Sequence, residues 1–182
     1  TSQPELTSEQ QATRDQLMRE HGLAEHDAGL LATRGALREY FLATVEAGAP
    51  AISAANWVSN ELAGQVEKPD FALSARALAE LIELVESDSI TMRVAKELLP
   101  ELLTGAEPKV LVKERGLERL DDTGEVARHV EAALSAHPEE VASYRAGKVG
   151  LKGFFVGQVM RATGGRADPK LVQELVEQAL ER

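Results

Sequence analysis

The sequence has no cysteine, few aromatic residues and no long apolar run. Without cysteine, disulfides and thiolate chemistry are excluded, and a reducing cytoplasm is the simple expectation for localisation. No apolar stretch approaches the roughly 18 residues that a membrane span needs, so we expect no membrane partner. The N-terminal segment TSQPELTSEQQATRD has neither a charged n-region nor an apolar h-region, which is untypical of a secretory signal. It also lacks an initiator Met, which fits a processed chain or one that begins inside a longer protein.

The apolar content is ordinary at 43%, but aromatic residues make up only 4%, so the core must consist mostly of Leu, Val and Ala. This composition favours helices, and almost every segment shows a 3.6-residue period. Thr7 and Gln10 form a capping-box pattern, and Pro100 is expected to kink or end its helix. The only strand candidate is the VLV run at 110–112, which is flanked by Lys and Glu. The sequence therefore predicts an all-α fold.

A domain boundary is predicted in the segment GLERLDDTGE at 116–125, where two glycines surround a double Asp. We expect a helical bundle domain at 1–118 and a small helical tail domain at 119–182. The tail should contain helices at about 123–136, 138–146, 148–163 and 169–181. Gly164-Gly165 can end the third helix in left-handed geometry, and Asp168-Pro169 supplies an N-cap and a proline at the first position of the fourth.

Motifs for catalysis or metal binding are lacking. The sequence holds neither GxxxxGK[ST] nor GxGxxG after a strand, so a nucleotide loop is not indicated. His21 and His26 are five residues apart with Gly22 between them, whereas a zinc helix places two histidines four apart. No GxSxG elbow or Ser/His/Asp grouping appears, and paired carboxylates are expected by chance among thirty acidic residues. We predict no catalytic residue and no metal ligand.

Charge is distributed unevenly. The chain carries −10 overall, which argues against non-specific nucleic-acid binding and against DNA as a partner. Residues 145–170, here called the basic segment, carry six basic residues and one Asp, a net +5; residues 1–144 carry −13 and residues 171–182 carry −2. A basic segment in an acidic protein suggests a specific contact with a polyanion. The alternative is a basic face that docks on an acidic face of the same chain or of a partner.

The basic segment also contains six of the fourteen glycines. On a helical wheel Gly150, Gly153 and Gly157 form one narrow stripe, which Arg161 continues by one turn. Three glycines inside a helix cost roughly 3 kcal/mol relative to alanine. A helix tolerates this only if a partner helix or a phosphate backbone approaches closely. Phe154-Phe155 is interpreted as core and not as a base-stacking platform.

The segment GFFVGQVMRATGGRADPKLVQELV closely resembles the C-terminal signature of the B subunit of the aspartyl/glutamyl-tRNA amidotransferase family (GatB). Three upstream segments are similar to family motifs in matching order: HGLAEHDAGLLATRGALREYF, YFLATVEAGAPAISAANWVSNEL and SITMRVAKELLPELLTG. The resemblance covers about residue 13 to the end. His26 stands where the family usually has tyrosine, and Asp168 where it usually has asparagine, which preserves capping but adds a negative charge unsuited to a phosphate contact.

The resemblance implies a helical domain followed by a small YqeY-like tail domain. It implies a parent subunit whose cradle domain uses ATP and Mg to activate glutamate or aspartate mischarged on tRNA, with ammonia supplied by the amidase subunit. Partners would be tRNA(Gln) or tRNA(Asn), the amidase A subunit and the small C subunit. No cradle motif is visible in this chain, so we expect a non-catalytic fragment of a ligase that holds no cofactor itself.

In that family these domains hold tRNA, and the basic segment supplies the candidate contacts. Phosphate contacts are expected from Lys148, Lys152, Arg161, Arg166 and Lys170. Gly153 and Gly157 would permit close approach, and Gln158 is a possible polar contact. The rival hypothesis is a non-catalytic protein-interaction module that packs a partner helix on its glycine stripe.

Overall fold

The computed structural model describes residues 5–182. Within that range it contains eleven α-helices, one π-helical segment and no β-strand, which confirms the all-α prediction. None of the helices in the described range is long and apolar enough to cross a membrane. The α-helices are α1 (Ser8–His21), α2 (Glu25–Thr33), α3 (Gly35–Glu46), α4 (Ala51–Asn56), α5 (Ala75–Glu86), α6 (Met92–Leu102), α7 (Pro108–Arg115), α8 (Thr123–Ala136), α9 (Pro138–Arg145), α10 (Leu151–Ala162) and α11 (Pro169–Leu180).

The chain forms two compact units that alternate along the sequence. The first extends to Glu86 and takes in Leu98–Leu111; the second comprises Ser87–Glu97 and Val112–Arg182. Helix α6 thus begins in the second unit and ends in the first. The predicted domain boundary between residues 118 and 119 stays a prediction.

Local signals fix several helix ends. Thr7 and Gln10 form the reciprocal capping box that their spacing predicts. Gly22 ends α1 in the left-handed region at φ 67°, where glycine has no Cβ to clash. Asp168 accepts a hydrogen bond from the backbone N–H of Lys170, and Pro169 opens α11 as predicted.

The structure decides two local points: the course of α6 at Pro100 and the state of the only strand candidate. Helix α6 runs through Pro100 to Leu102, so of the two effects expected of Pro100, a kink or an end, the end does not occur. Leu98 and Leu102 are buried, and at about 1.5–3 kcal/mol for each buried leucine their packing offsets the roughly 3 kcal/mol that an internal proline costs. The VLV run at 110–112 lies in α7 and is helical.

The helical segment after Pro50 changes its winding part-way. Helix α4 is followed directly by a π-helical segment, Trp57–Leu62. A π-helix places residues five apart above one another, and Trp57 and Leu62 are both buried in the first unit. Periodicity at 3.6 residues gives no sign of this widening.

The first unit is built around α3 and α5, which pack on each other. Their contact buries Leu37, Phe41 and Ile82 almost completely. At its edge the Tyr40 hydroxyl donates a hydrogen bond to the Leu73 carbonyl, 3.0 Å away, and burial raises the pKa of Tyr40. A buried tyrosine needs such a partner.

The second unit is formed by α8, α10 and α11, with α9 against their side. Val126, Phe155, Val159, Val172 and Val176 are each fully buried in one apolar core. Helix α10, which carries much of the basic segment, is therefore held by its apolar face, and its other faces remain available.

Candidate nucleic-acid interface

Helix α10 positions the central part of the basic segment. Phe155 and Val159 are four residues apart and share a helix face, and both have 0% exposure in the core of the second unit. Each fully buried side chain of this kind contributes about 1.5–3 kcal/mol, which fixes the rotation of α10 about its axis. Phe154 is half-buried and lies edge-on to the His137 ring at 5.0 Å, so the interpretation of the Phe pair as core holds fully for Phe155 only.

The glycine stripe is shorter than the sequence predicts. Helix α10 begins at Leu151, and Gly150 is the residue before it, with φ −63° and ψ −19°. Only Gly153 and Gly157 lie inside the helix, so the expected cost relative to alanine falls from roughly 3 to roughly 2 kcal/mol. The helical wheel assigns Gly150 to the stripe, but it cannot show where the helix begins. No capping side chain marks the first turn of α10.

Gly153 and Gly157 face open space. A Cβ built on either residue would have no heavy atom within 4 Å outside the local helix backbone. These glycines are therefore not required by packing within the described residues. Arg161 follows at the same four-residue spacing in the last turn of α10 and is exposed, so its place as a continuation of the stripe agrees with the helix bounds.

Lys148 and Lys170 lie in the turns at either side of α10. Lys148 is exposed in the turn that Gly147 opens at φ 112°, and Lys170 is exposed in the first turn of α11. Gln158 is half-buried on α10. The three exposed cations, Lys148, Arg161 and Lys170, are thus the members of the predicted set most available to an anion.

Lys152 has an acidic partner. Its Nζ donates a hydrogen bond to Oε2 of Glu177 on α11 at 2.7 Å. This bond, opposed by partial desolvation and reinforced by the nearby negative charge, raises the pKa of Lys152. Lys152 is cationic but already paired.

Arg166 has a structural environment. Its Nη1 donates to the Gly116 carbonyl at 3.0 Å and its Nε to the Thr163 carbonyl at 3.3 Å, and the side chain is half-buried. Removal of the Arg166 side chain would take this donor from the Gly116 carbonyl as well as removing a charge, whereas the Thr163 carbonyl keeps the backbone N–H of residue 166 as a donor. A substitution of Arg166 would therefore change both the charge available for anion binding and the stability of the second unit.

The sequence gives no indication of a charge network centred on Arg119. Its three guanidinium nitrogens each lie 3.0 Å from a different carboxylate: Nη1 from Asp88, Nε from Asp121 and Nη2 from Asp168. The Nε contact is an ion pair without hydrogen-bond geometry. Asp168 is thus engaged by Arg119 as well as by the helix cap. In sequence, the segment GLERLDD resembles a linker, because Asp88 and Asp168, two of the partners of Arg119, are remote along the chain.

Backbone contacts continue this network in the second unit. Leu120 N–H donates to the Arg166 carbonyl at 3.0 Å, and Thr91 Oγ1 donates to the Gly165 carbonyl at 3.1 Å. Gly165 has φ +74°, and an added Cβ would lie 2.9 Å from Cδ of Arg93. The turn that carries the C-terminal end of the basic segment is therefore rigidly specified.

No metal site is indicated by the residues that the structure describes: within 5–182 there is no group of three or more His, Cys, Asp or Glu side chains arranged to hold an ion. The described residues thus offer no such ligand group for the Mg that the resemblance implies for the parent subunit. The geometry instead offers exposed cations beside a glycine face, an arrangement suited to phosphate.

Comparison with known proteins decides the family. Residues 39–180 match the family described as GatB domain. The chain belongs to the GatB domain family.

Curated GatB relatives agree over nearly the whole chain. A protein from Acaryochloris marina, named as the B subunit of aspartyl/glutamyl-tRNA(Asn/Gln) amidotransferase, is 44% identical over 98% of this chain and 37% of its own length. Proteins with the same name from Gloeothece citriformis and Thermosynechococcus vestitus are 42% and 46% identical, over 98% and 88% of this chain. The chain thus spans about a third of the length of these GatB relatives, between 33% and 37%, and corresponds to their C-terminal part.

Proposed function

We propose that this chain is the tRNA-binding part of the B subunit of a glutamine-hydrolysing, ATP-dependent aspartyl/glutamyl-tRNA amidotransferase. Family membership and the names of the relatives support the assignment to the subunit. The observation that carries the binding role is the solvent face of α10. There, Gly153 and Gly157 leave open space on the helix side that Arg161 continues. Lys148 precedes α10, and Lys170 lies in the first turn of α11.

The whole enzyme would convert Glu-tRNA(Gln) to Gln-tRNA(Gln), or Asp-tRNA(Asn) to Asn-tRNA(Asn). This chain would hold the tRNA while chemistry that needs ATP and Mg proceeds in the other part of the B subunit. The amidase A subunit and the small C subunit would be its protein partners, and the cytoplasm its location. The fold supports a holding role because the packing of α10 through Phe155 and Val159 into the core of the second unit positions Arg161 on its exposed side.

Contact with tRNA would be made mainly to phosphates. From Gly153 to Arg161 the helix extends about 12 Å at 1.5 Å per residue, and over this length the two glycines allow a phosphate backbone to approach the main chain. Each Lys or Arg that neutralises a phosphate releases condensed counterions. Three exposed cations predict that log K falls with log salt at a slope of about −2 to −3.

The test compares Arg161→Ala with Arg76→Ala by tRNA binding across a salt series. Arg76 is an exposed arginine on α5 in the first unit, so its removal changes net charge equally. We expect Arg161→Ala to weaken binding of a tRNA(Gln) or tRNA(Asn) transcript about tenfold and to lower the salt slope by about one. Arg76→Ala should stay within about twofold of the parent. Equal binding by the two variants would contradict the proposal.

The rival, a partner helix seated on the glycine stripe, is separated by Gly153→Leu. A Cβ added at Gly153 would meet no heavy atom of the described residues within 4 Å beyond its chain neighbours and local helix backbone. The variant should therefore fold. Both tRNA affinity and association with the A and C subunits are then measured. Lost tRNA binding with intact association supports the tRNA surface, whereas lost association with intact tRNA binding supports the interaction module.

A further inference from the structure

The pair formed by Lys152 and Glu177 lies within the basic segment's own surface. The two residues are 25 positions apart, and the packing of α10 on α11 brings their charged ends to 2.7 Å. Their side chains are 33% and 49% exposed. The pair is therefore accessible to a polyanion and is not a buried structural bridge.

Lys152 differs from the exposed candidate cations because it forms an ion pair with a carboxylate. In the described part of the chain, no ion pair joins Lys148, Arg161 or Lys170 to a carboxylate. Lys152 has the Glu177 carboxylate as its hydrogen-bond acceptor, and Glu181, directly after the end of α11, adds to the negative potential. An acidic edge thus borders the basic surface along α11.

We propose that Glu177 is a specificity-determining residue of this surface: its carboxylate engages Lys152 and competes with a phosphate for that ammonium. The inference rests on the proposed function, because it takes the anion to be the tRNA backbone. At contact distance in high dielectric, a carboxylate and a phosphate oxygen attract an ammonium by comparable amounts. Replacing the Glu177 carboxylate by a phosphate as the partner of Lys152 therefore adds little binding free energy for a loosely placed polyanion. It adds more for a polyanion that Arg161 already holds in position.

The consequence is a surface that binds less tightly than its count of basic residues suggests. Glu177 lowers affinity for any polyanion, and the loss is recovered only where other contacts fix a phosphate beside Lys152. Electrostatic complementarity of this kind acts on specificity more than on raw affinity.

The experiment measures binding of the full chain to a tRNA(Gln) or tRNA(Asn) transcript and to a single-stranded RNA of unrelated sequence. The variants are Glu177→Gln, Lys152→Gln and the double variant. Glu174→Gln is the matched control, because it removes the same charge from an exposed site on α11 that does not contribute to the environment of Lys152. Arg161→Ala reports on the tRNA surface itself.

We expect Glu177→Gln to tighten binding of both RNAs three- to tenfold, and more for the unrelated RNA, with a salt slope steeper by about one. Glu174→Gln should change binding by less than about twofold, and Lys152→Gln should abolish the effect of Glu177→Gln. If Glu177→Gln matches Glu174→Gln or weakens binding while Arg161→Ala still lowers affinity, the inference is overturned and the proposed function stands. If Arg161→Ala has no effect, the proposed function fails and the inference fails with it.

Discussion

Gly153→Ala and Gly157→Ala should stabilise the chain while weakening its binding to tRNA. Both residues lie inside α10, where glycine costs about 0.5–1 kcal/mol relative to alanine through lost backbone entropy. Beyond the local helix backbone and the chain neighbours, an added Cβ at either position meets no heavy atom of residues 5–182 within 4 Å, so no steric penalty opposes the gain. The double variant should gain about 1–2 kcal/mol, which raises the Tm by about 2–4 °C for each kcal/mol in a chain of this size.

The assay follows thermal and urea unfolding by far-UV circular dichroism, with tRNA titration alongside. Gly29→Ala is the matched control, because Gly29 lies inside α2 of the first unit and also has open space around an added Cβ. It should stabilise equally and leave tRNA binding unchanged. A methyl group on the glycine face should weaken tRNA binding about five- to tenfold, or roughly 1–1.4 kcal/mol.

Two results would refute this account in different ways. Destabilisation by Gly153→Ala or Gly157→Ala would show that the face of α10 is not open. Stabilisation with unchanged tRNA affinity would show that the glycines do not serve close approach of the phosphate backbone. Agreement of the two variants with Gly29→Ala in both measurements would be this second result.

Three further substitutions test the packing. Gly165→Ala should destabilise by about 1–2 kcal/mol, because φ is +74° and the Cβ would displace Arg93; a melt no lower than that of the parent would contradict the left-handed turn. Tyr40→Phe should lose about 1–2 kcal/mol in urea unfolding, because the Leu73 carbonyl loses its donor, and an unchanged midpoint would refute that bond. Ser59→Ala should be neutral or stabilising by up to about 1 kcal/mol, because its buried Oγ has no hydrogen-bond partner among residues 5–182; a large loss of stability would reveal a partner.

Features encoded locally could be predicted from the sequence. The capping box at Thr7, the glycine end of α1 at Gly22 and the Asp168-Pro169 start of α11 each depend on residues within four positions of one another. The helix bounds around them follow, and α8 begins at the predicted Thr123. The family motifs are likewise contiguous, so the resemblance is visible in the order of the residues alone.

Features that depend on remote partners could not be predicted. The pairing of Lys152 with Glu177 requires the packing of two helices, and the contacts of Arg119 join segments separated by tens of residues. The π-helical segment after α4 and the continuation of α6 through Pro100 are set by burial, which outweighs local preference. For the candidate interface, composition located the basic segment but could not say which cations are exposed and which are engaged.

The contacts around Arg119 bear on how this tail should be cut out for separate study. A segment excised at residue 119 would keep the pairing of Arg119 with Asp168 but would lose Asp88 and the hydroxyl of Thr91 that donates to Gly165. The guanidinium would lose one of its three counter-charges and the glycine turn its outer support. A segment that begins at Ser87 keeps both, at the expense of carrying α6 and α7 with it.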